Sequence, residues 1–394
     1  MKKIIVITDM SDEGSGYKTI CAPLLTGLTK LGYDIKVAGL FYRGSEHPYP
    51  FSIIPTPSVE EASVIVTNLV QSWFPDIILV ALDLPLQAQY FDKLSIALPR
   101  LDMERNQGLT IPRKYIAITP LENGPLTASW AAPLFNMDAV FFISELGKQE
   151  AIKSGITKAE HLQIGIDTAS WFPPTQQERE QLRNGMGISP ETFVVLTVAD
   201  NQERKNLWSG MEAVSRLKKE LDRPIKYIMV TREQSPYGWR LRDLAVKLGI
   251  NQEYAPYERG MPQRDLWALY AISDAYLQPS KAEGLGLPVM EAMACGVPVV
   301  ATDTGAMHEL LDGRGFLIPP EYVFTDVWGN SMRAMIDIEL AKNSLKSIAL
   351  AGKVPQDIPL HPLQYIKTRT WDVAVQQLHN KIKELYNEQT QPTQ

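Results

Sequence analysis

The sequence has little that would tie it to redox chemistry, to metals or to a bilayer. It holds two cysteines, Cys21 and Cys295, in 394 residues. Two thiols so widely separated make neither a disulfide framework nor a zinc spacing, which fits a reducing compartment. There are five histidines, none in a His-Glu-x-x-His string, and no Asp-x-Asp string of the metal-dependent type. No apolar run reaches the length of about 20 residues that a membrane-spanning helix needs. A basic excess is also missing: the formal net charge is −6, so nothing electrostatic points to nucleic acid. No third glycine follows Gly14-x-Gly16 at the place a dinucleotide-binding fingerprint requires, and no internal repeat is visible. The start, Lys2-Lys3 and an apolar run that stops at Asp9, reads as a first strand rather than a signal peptide. What remains is an ordinary globular balance, 45% hydrophobic and 21% charged, in a chain long enough for two domains.

The most informative stretch runs from Ala275 to Thr302. Ala275-Tyr-Leu-Gln278 and residues 297–301 are short apolar runs and read as buried strands. Between them lie the glycine-punctuated loop Ser280-Lys-Ala-Glu283-Gly284-Leu285-Gly286 and then Leu287-Pro288-Val-Met-Glu291-Ala-Met-Ala-Cys-Gly296. Pro288 suits a first helical turn and Gly296 a helix end. The order is strand, loop, helix, strand, a βαβ unit. Gly284 and Gly286 let backbone N–H groups approach a ligand at a helix N-terminus, an anion site. Glu283 and Glu291 bracket it with carboxylates that accept hydrogen bonds from hydroxyls. Amides for phosphate flanked by acceptors for hydroxyls suit a nucleotide sugar. The plainer alternative is that the glycines and proline only shape a turn and that Glu291 is a solvated helix residue.

Two glutamates with seven residues between them occur by chance. The full string Pro-Ser-x-x-Glu-Gly-x-Gly-Leu-Pro-x-x-Glu-Ala-Met-Ala-x-Gly-x-Pro-Val-Val is far more specific. It resembles the E-x7-E signature of retaining glycosyltransferases, most closely glycosyltransferase family 4. That resemblance implies a GT-B fold: two Rossmann-like, doubly wound parallel-sheet α/β domains facing across a cleft, with a C-terminal helix crossing back to the first.

The rest of the chain is readable in the same frame. Residues 3–8 and 34–40 read as buried parallel strands with a helix at 19–31 between them. The loop with Gly14, Ser15 and Gly16 matches the family's glycine-rich, donor-facing loop loosely, and a plain strand-to-helix turn is an equal alternative. A helix at 58–73, strands at 76–81, 114–118 and 137–144, and a helix through Lys153 follow. The loop after residue 118 carries Glu122, Asn123 and Trp130. Many relatives place an acceptor-side histidine near there, and this chain has none. Glu122 is the candidate for hydrogen bonding the acceptor hydroxyl, against the alternative of a solvated loop residue. The Gly165-x-Asp167 and Phe172-x-Pro174 pattern, with its double proline, reads as the hinge. The expected boundaries are 1–172 with about 373–394 for the acceptor domain, and 173–372 for the nucleotide-sugar domain. Closure of the two on donor binding is expected.

In the second domain, residues 193–198 form a strand leading to Arg204-Lys205-Asn206 and a helix at 207–220. Two adjacent cations in such a loop suit a diphosphate, Arg as a fork and Lys as a point charge; a solvated basic pair is the alternative. Arg232, after a strand at 225–231, is a further candidate. The helix at 265–270, including Tyr270, reads as core, and His308 as a satisfied or exposed histidine. Residues 370–388 form an amphipathic helix, and the polar tail 387–394 reads as frayed.

The resemblance implies roles. Arg204, Lys205 and the Gly284, Leu285, Gly286 and Leu287 amides hold the donor diphosphate. Glu291 holds the ribose, and Glu283 the transferred sugar. The implied reaction moves a hexosyl-type group from a nucleoside-diphosphate sugar, such as UDP-glucose or GDP-mannose, to an acceptor hydroxyl with retention. Attack is on the front face, the donor phosphate takes the proton, and neither cofactor nor metal is required. The acceptor, whether sugar, polysaccharide, lipid or small molecule, is not specified. The expected location is cytoplasmic, with a lipid acceptor drawing it to the inner face of the membrane. A non-catalytic nucleotide-sugar-binding or scaffold protein of the same fold is the alternative; an epimerase, a phosphorylase or a Rossmann oxidoreductase has thinner support.

Overall fold

The computed structural model describes residues 2–90, 93–94, 113–327, 329–351 and 362–387. The tail read at 387–394 lies outside the described residues apart from the backbone of Asn387. The chain divides into two compact units, Met1–Gly165 with Thr370–Gln394, and Ile166–Arg369.

The first unit is built on a parallel sheet of seven strands: β1 (Lys3–Asp9), β2 (Asp34–Leu40), β3 (Ser52–Thr56), β4 (Ile77–Ala81), β5 (Lys114–Thr119), β6 (Ala139–Phe142) and β7 (Ala159–His161). Their order is β3-β2-β1-β4-β5-β6-β7. Ile4, Ile5, Val6 and Ile7 are all fully buried, because helices cover both faces; this is why such strands read as continuous apolar runs rather than alternating ones. β3 escapes a sequence reading. It lies at the sheet edge and contains Pro55, and an edge is where a strand tolerates a residue without an N–H.

The helix after β1 spans Gly16–Lys30 and begins three residues before the expected start at 19. The reason is Ser15, whose Oγ accepts from the Lys18 N–H at 3.1 Å, an N-cap that moves the helix start back to Gly16. Helix Trp371–Asn387 packs on Gly16–Lys30. A Cβ at Gly27 would stand 2.3 Å from Val375 Cγ2, so the absent side chain sets how closely the helices approach. Tyr33 OH meets His379 Nδ1 at 3.0 Å, and Tyr386 OH donates to Asp76 O at 2.8 Å.

The second unit repeats the plan with six parallel strands: β8 (Phe193–Val198), β9 (Ile225–Val230), β10 (Tyr254–Tyr257), β11 (Ala275–Gln278), β12 (Val299–Thr302) and β13 (Phe316–Ile318). Their order is β10-β9-β8-β11-β12-β13. Phe193, Leu207, Met211, Tyr227 and Leu277 form part of its core. An antiparallel hairpin, β14 (Pro320–Thr325) and β15 (Met332–Ile336), follows β13. The sequence does not announce it, since Tyr322, Val323 and Phe324 in β14 are all exposed and give no inward-outward alternation. Among the described residues, no helix is long and apolar enough to cross a membrane.

Candidate functional site

In the second sheet the strand order reverses between β8 and β11. Loops leaving the C-terminal ends of strands on either side of such a point frame the usual ligand crevice of an open α/β sheet. The loop after β8 carries the short turn Glu203–Lys205, and the loop after β11 carries Glu283. The two are stitched together through the main chain. The Lys281 N–H donates to Arg204 O at 2.8 Å, and Arg204 Nη1 donates to Ala282 O at 2.9 Å.

Glu283 is the centre of this junction, with 4% of its surface exposed. Its Oε1 accepts from Lys205 Nζ at 2.6 Å, from Ser280 Oγ at 2.7 Å and from Gln278 Nε2 at 2.6 Å. Its Oε2 meets Arg204 Nη1 at 3.5 Å. Burial pushes the carboxyl up, but the Lys205 and Arg204 charges and the hydrogen bonds outweigh it and bring the group down to about 2. Two cations facing one carboxylate is an arrangement that suits an anionic ligand.

Gly286 stands at φ +87° and caps helix Leu287–Ala294, with Pro288 in its first turn. A Cβ there would come 2.3 Å from Met307 Cε. The positive φ, more than that contact with the flexible end of a methionine, is what favours glycine here. Leu285 is buried, so what it can offer a ligand is main chain. Glu291 lies on this helix and accepts from Tyr270 OH at 2.8 Å. Its apolar surroundings raise its carboxyl to about 7, against the Tyr270 hydrogen bond, which lowers it. One glutamate, in the loop before the helix, is held ionised, and the other, about one turn into it, titrates close to pH 7.

The remaining candidates fall elsewhere. Arg232 grips Asp200, Nε to Oδ1 at 2.8 Å and Nη2 to Oδ2 at 2.5 Å, and Arg259 meets the same carboxylate at 3.1 Å. His308 is exposed and pairs with Asp303 at 2.8 Å. In the first unit, Gly14 adopts φ +80° and Gly16 begins the capped helix. Glu122 is partly buried in the loop after β5, and its charge is felt by Tyr17, whose OH donates to Asp83 after β4. The structure thus brings Glu283, Arg204, Lys205, residues 284–287 and Glu291 together in the second unit, and leaves Gly14, Gly16 and Glu122 in the first. Sequence reasoning missed Gln278, Ser280 and Tyr270 as partners of the two glutamates. The signal was a glutamine and a serine closing an otherwise apolar strand, which would be costly to bury without partners.

This doubly wound pair of parallel-sheet units is the GT-B fold, and residues 178–335 match the family model described as Glycosyl transferases group 1. That stretch therefore resembles a group 1 glycosyltransferase domain, in line with the likeness to family 4. It is 33% identical over 189 residues to a GDP-mannose-dependent alpha-(1-6)-phosphatidylinositol monomannoside mannosyltransferase of Mycolicibacterium smegmatis, a match covering 45% of this chain and 47% of that protein. The match spans about half the length of that relative. Among solved structures, a glycosyltransferase of Rickettsia africae superposes with a TM-score of 0.73 at 16% identity, covering 98% of both chains. HepE of Anabaena in complex with UDP-glucose also gives 0.73 at 16% identity, over 98% of this chain and 100% of that one. At such identities the superpositions speak for the fold.

Proposed function

We propose that the protein is a retaining glycosyltransferase that moves a hexosyl-type group from a nucleoside-diphosphate sugar to an acceptor hydroxyl without a metal ion. The observation that carries this reading is the buried Glu283 carboxylate locked to Lys205 and Arg204 beside the N-terminus of helix Leu287–Ala294. A hydroxyl acceptor, two cations and a helix N-terminus at one sheet edge match the parts of a nucleotide sugar.

In this mechanism the diphosphate lies against Arg204, Lys205 and the 284–287 amides. They stabilise the charge that grows as the anomeric carbon–oxygen bond breaks. Ionised Glu291 accepts hydrogen bonds from the ribose hydroxyls and Glu283 from the sugar. The acceptor oxygen bonds to the anomeric carbon on the face the diphosphate leaves, and its proton passes to a departing phosphate oxygen. The work a divalent cation does in other transferases falls to the two basic side chains. Glu122 hydrogen-bonds the acceptor hydroxyl. A lipid acceptor would bring the protein to a membrane surface.

The test is a donor panel. Release of UDP, GDP or ADP from the matching glucose and mannose donors is measured with and without EDTA, for the wild type and for Glu291→Ala and Lys205→Ala. Release from one donor that survives EDTA and falls in both variants supports the reading. Release abolished by EDTA overturns metal independence. Tight nucleotide binding with no transfer to any offered acceptor favours a nucleotide-sugar-binding protein instead.

A further inference from the structure

β11 lies in the interior of the second sheet, flanked by β8 and β12, and all four of its residues are buried. Such a strand is normally apolar throughout. Its last residue is nonetheless Gln278, 1% exposed, and two positions earlier stands Tyr276, fully buried. Residues two apart on a strand point to the same face, and here their polar ends meet. Tyr276 OH donates to Gln278 Oε1 at 2.6 Å. The Gln278 amide nitrogen then donates to Ser280 Oγ at 2.8 Å and to Glu283 Oε1 at 2.6 Å.

The direction of this chain is fixed by charge. An ionised carboxylate only accepts, so the amide must present nitrogen to Glu283 and oxygen to Tyr276; the flipped amide would set two acceptors 2.6 Å apart. The result is an asymmetric carboxylate. Oε1 carries three short contacts, from Lys205, Ser280 and Gln278. Oε2 is met by Arg204 at 3.5 Å, too long for a strong hydrogen bond. One oxygen is an anchor, and the other keeps lone-pair capacity for a hydroxyl.

We propose that Gln278 is a positioning residue which, held in orientation by Tyr276, anchors Oε1 of Glu283 so that Oε2 faces a hydroxyl of the transferred sugar. This rests on the reading of the site as a nucleotide-sugar site. Gln278 acts through Glu283 and touches no substrate itself. Its effect belongs to the sugar, and the nucleoside diphosphate is held by other groups.

The experiment compares wild type with Gln278→Leu, Gln278→Glu and Tyr276→Phe, each checked for a cooperative thermal transition. Binding of UDP, GDP and ADP is measured by calorimetry, and kcat/KM with the donor the wild type uses is followed across pH. Gln278→Leu is expected to keep nucleoside-diphosphate affinity within about twofold while kcat/KM falls by roughly tenfold or more. Below about pH 5, where Glu291 is already protonated in every variant, the separate acid limb that belongs to Glu283 should move upward, because a carboxylate that loses a donor holds its proton more tightly. Gln278→Glu, the closer match in shape, should fare worse than Gln278→Leu, since it brings a second acceptor to Oε1. A role confined to packing predicts the reverse order and an unmoved profile, and that result overturns the proposal. Equal loss of nucleotide and sugar recognition in a folded Gln278→Leu also overturns it. Tyr276→Phe retains the ring and should show the same signature at smaller amplitude, which keeps the test decisive if a Gln278 variant fails to fold. Should the wild type bind no nucleotide and turn over no donor, the functional reading fails and this one with it. A normally active Gln278→Leu with an unchanged profile removes the positioning role alone.

Discussion

The two units share one plan and differ in what they do with it. Each lays parallel strands out from a central one, reverses direction, and leaves loops at the C-terminal sheet edge. In the second unit those loops are tied into a buried charge network around Glu283, a residue only 4% exposed. In the first unit the corresponding loops hold partly buried or exposed groups, Gly14, Asp83 and Glu122. One scaffold therefore supports a preorganised edge and an open one. Preorganisation is what the stabilisation of developing charge demands, whereas an edge that selects among acceptors gains from adaptable loops.

The sharpest way to break this contrast is to remove its centre. Glu283→Ala should lower kcat/KM on the order of a hundredfold or more, and should destabilise the second unit by about 3 kcal/mol because Lys205 and Arg204 lose their counter-charge. Donor turnover and urea unfolding measure the two effects. Next come the two left-handed glycines. At Gly286 (φ +87°), a methyl group would meet Met307 Cε at 2.3 Å, whereas at Gly14 (φ +80°) it would meet nothing within 4 Å. Gly14→Ala should therefore cost only the backbone term, about 1 kcal/mol, and Gly286→Ala somewhat more, up to about 2 kcal/mol, because the buried end of Met307 must shift. Matched unfolding curves that coincide would remove the difference claimed between the two edges.

The glutamates sharpen the comparison through pH. Glu291 is raised from 4.5 to about 7 by burial. Its protonated form is the one the fold prefers: the stability this contributes is complete below the unfolded value and is lost as pH rises through about 7. Glu283 is lowered from 4.5 to about 2, burial being outweighed by its cations. It contributes stability above the unfolded value, lost as pH falls toward about 2. Under the proposed role of ionised Glu291 as acceptor for the ribose hydroxyls, nucleotide affinity should rise by up to about tenfold between roughly pH 6 and pH 8, with proton release on binding. Calorimetry in buffers of different ionisation enthalpy counts those protons, and Glu291→Gln should abolish the dependence. The smallest effect is expected in the first unit: Glu122→Ala should raise the acceptor KM a few-fold, on the order of 1 kcal/mol, with nucleotide affinity unchanged. Unaltered turnover would sink the role given to Glu122.

Much of the architecture was legible because buried parallel strands are written as apolar runs. Residues 34–40 and 193–198 were read with the bounds the structure shows. The elements that were missed lacked that mark. β3 carries Pro55 at an edge, β7 has three residues, and β14 exposes its hydrophobic side chains. Glu283, Glu291, Arg204 and Lys205 stood out because chemistry and spacing coincided. That Lys205 would bond Glu283 itself did not, since the two lie 78 positions apart and only the order of strands brings them together. Tyr270 looked like core and is core by burial, yet its hydroxyl serves Glu291. A side chain with an apolar body and a polar tip can do both.

The seating of helix Trp371–Asn387 against Gly16–Lys30, with Val375 over Gly27 and the Lys2 ammonium 3.2 Å from the Tyr386 ring centroid, has a consequence for the order of events at the ribosome. Residues 166–369, the entire second unit, are synthesised before this helix emerges. Throughout that interval the nascent first unit exposes the apolar groove on helix Gly16–Lys30 that the later helix will fill. Translation proceeds at roughly 5–20 residues per second, so the gap lasts on the order of ten seconds or more. During that time the surface around Gly27 that Val375 will cover stays exposed to solvent.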